Sequence, residues 1–212
     1  GITVVINSIV GNNTRRRLDA AECRGFALTD PYAPWVFVNG ADYKANQLLT
    51  LAHGLAHIVF GTSSAYDLAE LLPAGDPIEL ACYRAAREFL LPVVRLRGAW
   101  STVHADADPV AQMVRQFKVS PTVVARLALD EHLISGATYA RYVRAYMEKE
   151  DRQARGGGGN FYLTQNLRIG VRFARRVAQA VAEGRLLFAE AYELTGLSGK
   201  TFDNYLRTIE GE

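Results

Sequence analysis

The sequence predicts an α+β fold that is mostly α. Three short apolar runs of strand type precede residue 40. A long helical pattern follows from about Tyr43 to Phe60. From Pro77 onward the chain is a succession of helical patterns separated by Pro and Gly. Strands gathered at one end and helices at the other describe a small sheet with helices packed against it.

Ile2 to Ile6 is rich in β-branched residues and reads as the first strand. Asn7 to Asn13 carries turn chemistry. Gly25 to Leu28 and Trp35 to Val38 read as two further strands, separated by a turn at Asp30-Pro31. Hairpin-like spacing makes an antiparallel sheet the expectation. The helix from Tyr43 to Phe60 has Gly61 as its C-terminal stop. Leu48, Leu51, Leu55 and Val59 form its expected apolar stripe.

A second helix begins at Pro77, with Asp76 as N-cap, and ends before Pro92. Val110 to Phe117 and Thr122 to Leu129, joined through Val119-Ser120-Pro121, have the shape of a helix-turn-helix within about 110–135. Tyr139 to Asp151 reads as helix. Gly156 to Gly159 marks a linker over 153–160, dividing a domain over 1–152 from a helical segment over 161–212. Thr164 to Ala182 reads as one helix with Arg168, Arg172, Arg175 and Arg176 on a basic face. Phe188 to Leu194 and Lys200 to Thr208 form a second helix-turn-helix shape.

At 212 residues the chain has room for one large domain or two small ones, and about half its residues are apolar. The net charge of +2 carries no global nucleic-acid signature. Two cysteines, Cys23 and Cys82, are too few for a disulfide framework, so a reduced, cytoplasmic setting is expected. No run is long enough to span a bilayer, and no signal-peptide pattern opens the chain. It enters a strand directly after Gly1, as a piece of a longer protein would.

His53 and His57 are the most informative pair. Four residues apart on a helix, they point to one side and can reach a single metal ion. The spacing is that of H-E-x-x-H, in which the glutamate takes a proton from zinc-bound water. Gly54 stands at the glutamate position. Mid-helix glycine costs about 1 kcal/mol relative to alanine. Close helix packing and loss of a general base are both readings of it.

A third ligand must come from another segment. Asp67, Glu70, Glu79 and Glu88 are the candidates. Glu79 and Glu88 lie half a helical rotation apart, so both cannot face one metal. Glu79 shares its side with Cys82, Ala86 and Leu90, near apolar surface where an unpaired carboxylate is costly. It is favoured as the ligand. The competing reading is an acid that complements the helix dipole.

These residues resemble the ImmA/IrrE metallopeptidases. Arg24-Gly25-Phe26, Ala33-Pro34 to Asn39, and Leu51 to His57 look like that family's approach to its zinc helix. Glu79 to Pro92 looks like its second helix. Phe117-Lys118-Val119-Ser120 resembles the helix-turn-helix that follows, and Gly159 to Phe202 the tail of a subgroup. The resemblance implies a zincin-like fold, Zn2+ held by His53, His57 and Glu79, and endopeptidase action on a repressor-like or antitoxin protein. Two positions depart from the family pattern. Gly54 replaces the catalytic glutamate, which implies impaired turnover. Tyr83 stands where asparagine is usual, which weakens any role carried over to that position.

Competing functions are a non-catalytic pseudo-peptidase, or a toxin component of a toxin–antitoxin pair, that sequesters a regulator. Direct DNA binding is disfavoured by the sparse basic residues around Val119 to Thr122. The segment from Phe161 to Glu212 has no histidine or cysteine. It is expected to serve partner recognition rather than zinc binding, through its exposed arginines. The alternative is that it simply packs on the rest of the chain.

Overall fold

The computed structural model describes residues 1–11, 13–66, 76–154 and 161–210, with the side chains of 66, 149–154, 162 and 210 outside the description. Four strands, β1 (Thr3–Asn7), β2 (Gly25–Leu28), β3 (Trp35–Asn39) and β4 (Ser64–Tyr66), form one sheet in the order β1-β3-β2-β4. The expected antiparallel sheet is corrected to a mixed one. β2 pairs antiparallel with β3 and β4, but β1 runs parallel to β3, with Val5 opposite Phe37. Short separations favour antiparallel neighbours, yet the segment between β1 and β2 returns the chain so that β3 lies between them. β4 is a further strand, too short to show a period.

Alternation divides the sheet into two faces. Ala27, Val36 and Val38 are fully buried beneath Leu51 and Ile58 of helix α1 (Lys44–Phe60). Val5, Phe26, Trp35 and Phe37 belong to the other face by their register.

α1 ends as expected, with Gly61 in the left-handed conformation at φ 73°. Its apolar stripe is corrected: Val59 is 81% exposed and Leu48 38%. The buried positions are instead Ala45, Gln47, Thr50, Ala52, His53, Gly54, Ala56 and His57. The helix is packed by the sheet on one side and by α2 (Pro77–Leu90) on another. Small residues let α2 approach closely, and that requirement overrides the leucine periodicity.

Asp76 caps α2 by accepting from the Ile78 backbone N–H at 2.8 Å. A helix not expected from the pattern, α3 (Val93–Val103), starts directly after Pro92. It joins α4 (Pro109–Phe117), α5 (Pro121–Asp130) and α6 (Gly136–Ala154) around a core of Leu96, Trp100, Met113, Val124 and Leu127. α4 and α5 are the expected helix-turn-helix pair, and they serve this core. The glycine run of the expected linker lies outside the described residues.

The expected helix from Thr164 to Ala182 is corrected to three pieces: α7 (Phe161–Gln165), a π-helical turn (Asn166–Gly170) and α8 (Val171–Ala182). Gly170 breaks the run at φ 82°, and a Cβ there would meet the Val4 carbonyl oxygen at 3.3 Å. The glycine therefore lets this turn lie against the backbone of β1. α8, α9 (Phe188–Thr195) and α10 (Gly199–Glu210) enclose their own core of Ala174, Val177, Phe202, Tyr205 and Ile209. Arg175 of the expected basic face donates to the Ile209 carbonyl at 2.8 Å, satisfying a late carbonyl of α10. Among the described residues no helix is long and apolar enough to cross a membrane.

Candidate metal centre

α1 and α2 bring three ligand-type atoms to one point. His53 Nε2 lies 2.9 Å from Glu79 Oε2 and 3.0 Å from His57 Nε2, and His57 Nε2 lies 3.3 Å from Glu79 Oε2. His53 and His57 are 2% and 1% exposed. The i, i+4 spacing stacks the two imidazoles on one face of α1, and α2 supplies Glu79 from its first turn. Among the described residues this is the one group of three metal-ligating side chains whose donor atoms converge.

The donor set fits zinc. N and O ligands held tetrahedrally at about 2.0–2.1 Å from the metal stand about 3.3 Å from one another. The triangle of His53, His57 and Glu79 matches that spacing to within a few tenths of an ångström. Two imidazole nitrogens this close share at most one proton, so the site is arranged for a cation between lone pairs.

Two hydroxyls orient these groups. Thr62 Oγ1 lies 2.9 Å from His57 Nδ1, which leaves Nε2 facing Glu79. The left-handed Gly61 turn sets this up, because the Thr62 N–H donates to the His57 carbonyl at 3.0 Å. Ser64, on β4, donates to Glu79 Oε1 at 2.5 Å. Neither residue carries a spacing signal. Their sole trace in the sequence is the hydroxyl run Thr62-Ser63-Ser64 after the helix stop.

The electrostatics suit a buried ligand set. Burial holds the His53 imidazole below its ordinary pKa, although Glu79 opposes this. For Glu79 burial acts upward, but the hydrogen bonds from Ser64 and His53 together with the charge interactions of His57 and His53 keep the carboxyl below its usual range. The nearby thiol of Cys82 is pushed up to about 11, first by burial and then by Glu79, so it stays protonated.

The other candidates fall elsewhere. Glu88 accepts from the Val93 backbone N–H at 3.1 Å, serving the start of α3. Asp67 and Glu70 lie outside the described residues. Gly54 is buried within α1. Tyr83 is buried too, and its hydroxyl donates to Asp130 at 2.9 Å while accepting from Arg126 at 3.2 Å. It ties α2 to α5.

The sequence profile described as the IrrE N-terminal-like domain, of the M78 peptidase family, matches residues 1–128. The chain belongs to this family. Residues 169–208 match a domain family of unknown function. No curated protein and no solved structure matches the chain.

Proposed function

We propose, from its membership of the IrrE N-terminal-like family, that this chain is a zinc-dependent endopeptidase whose turnover is impaired by Gly54. Its substrate in this reading is a partner transcriptional repressor or an antitoxin. The observation that carries the reading is the convergence of His53, His57 and Glu79 from two packed helices.

Zinc bound there supplies a Lewis acid that polarises a carbonyl and acidifies water. His53 and His57 hold it with neutral imidazoles, and Glu79 adds a negative charge fixed in direction by Ser64. In the H-E-x-x-H pattern the residue after the first histidine accepts the proton of the attacking water. Gly54 has no group to accept it. A positioned general base is worth about 10²–10⁴-fold, which sets the size of the deficit.

A second reading is favoured by the same position. With its metal ligands retained and its base absent, the chain acts as a pseudo-peptidase that captures a regulator without cutting it, as within a toxin–antitoxin pair. One comparison separates the two. The parent and Gly54→Glu proteins, both zinc-loaded, are incubated with the regulator encoded next to the gene. Cleavage by the variant supports the impaired peptidase. Stable capture without cleavage by either protein supports the binding module.

A further inference from the structure

A cleft of about 930 Å³ lies on the far side of the sheet from α1. Its floor is the sheet face carrying Val5, Phe26, Trp35 and Phe37. Its opposite wall comes from the C-terminal segment, through Gln165, Arg168, Phe173 and Leu194. That volume lies within the range of small-molecule sites, which run from about 300 to 1,000 Å³.

Two features distinguish this cleft from a packing defect. The first is Gln165, which is 2% exposed and lines the cleft. No hydrogen bond engages its side-chain amide among the described residues, and the amide is not one of the polar atoms sealed away unpaired, so it opens onto the cleft. A polar group of a ligand can therefore pair with it in place of water. The second is Arg168, the one cation of the lining, which is partly buried and has no ion pair among the described residues. The two carboxylates of the lining, Asp30 and Glu193, stand at the exposed rim. Asp30 already accepts from the Tyr32 and Ala33 backbone N–H groups.

The floor specifies the rest of the ligand. Phe26 stacks on Phe37 with ring centroids 4.9 Å apart, and Trp35 meets Phe26 edge-on at 5.9 Å. Such a surface favours a flat aromatic body. Gln165 and Arg168 sit at the end of α7 and in the π-helical turn held against β1 by Gly170. Their placement therefore depends on the docking of the C-terminal segment on the sheet.

We propose that this cleft binds a small aromatic acid. Its rings lie on Phe26, Trp35 and Phe37, and its acidic group is held by the Gln165 amide and the Arg168 guanidinium. The site is separate from His53, His57 and Glu79, and the inference does not depend on the peptidase reading.

The test uses the full chain and 8-anilinonaphthalene-1-sulfonate, an aromatic acid whose fluorescence rises on binding. Saturable binding of one probe per chain is expected. Arg168→Gln should weaken it about tenfold, as loss of a charge-assisted hydrogen bond does, and Gln165→Leu about fivefold. Leu194 is 52% exposed, so Leu194→Ala tests the mouth of the cleft without disturbing a core. It too should weaken binding at least about fivefold, the scale of one lost apolar contact. Val94, 81% exposed on α3, is outside the lining, and Val94→Arg should leave binding unchanged. Non-saturable binding, or cleft variants that bind like the parent, would overturn the proposal. So would an equal loss from Val94→Arg.

Discussion

Ser64 Oγ donates to Glu79 Oε1 at 2.5 Å, which leaves Oε2 of the same carboxylate aimed at His53 and His57. The strand residue thus determines which oxygen of the helix residue reaches the ligand cluster. Outer hydrogen bonds of this kind typically change metal affinity by about 10–100-fold. Ser64→Ala is expected to lower zinc affinity by that order while leaving the fold intact. Competition with a chromophoric chelator measures it, and an unchanged affinity would show that Glu79 needs no such support.

The chain is expected to retain about one zinc ion despite Gly54, because the motif's glutamate is not itself a ligand. His53→Ala and His57→Ala should each abolish retention, since two protein ligands rarely hold zinc. Elemental analysis after dialysis against trace zinc checks both. A folded parent protein without metal would sink the assignment.

Gly54→Glu is expected to raise peptidase activity by at least about 10²-fold, the lower end of general-base catalysis. The readout is the rate of cleavage of a candidate repressor or antitoxin by zinc-loaded protein. The helix should also gain up to about 1 kcal/mol from losing an interior glycine, offset by the burial of a new carboxylate. No gain in cleavage by a zinc-bound variant would leave the pseudo-peptidase reading in place.

Tyr83→Phe is expected to destabilise the fold by about 1–2 kcal/mol without altering zinc content. The hydroxyl joins Asp130 and Arg126, and its removal leaves both partly buried groups one partner short. Burial pushes the Tyr83 phenol up to about 12, so the hydroxyl stays protonated and able to donate across the neutral range. Urea denaturation beside metal analysis separates this structural role from a role at the metal centre.

Glu131 supplies a pH-dependent part of the stability. Burial acts to raise its pKa, but Arg97 and Arg87, at 2.7 and 2.9 Å, hold the carboxyl below its usual range. The native state therefore binds fewer protons than the unfolded chain near pH 4.5. The contribution is full above that pH and disappears as the pH falls through the lowered native value. Glu131→Gln should cost about 1–2 kcal/mol at neutral pH, with the exposure of Arg97 limiting the size. Denaturation of parent and variant should show the difference shrinking below pH 4.5, and a constant gap would contradict it.

Local chemistry made much of this protein readable from the chain alone. The Gly61 stop, the Asp76 cap and the i, i+4 histidines depend on residues within one or two helical turns. Sequence therefore determined where α1 and α2 lie and that His53 and His57 share a side. It also pointed to Glu79, through its place beside the apolar side of α2, where an unpaired carboxylate is costly. Tertiary structure decided what depends on distant partners. The parallel pairing of β1 with β3, the exposure of Val59 and the choice of Ala52 and Ala56 for the buried side follow from the elements that pack around α1. Ser64 reaches Glu79 only because β4 pairs with β2 at the edge of the sheet. Gly170 ends a helix that its sequence would continue, because the backbone of β1 lies against it. Helix periods and caps are encoded locally, whereas the side an element buries is set by the surface it meets.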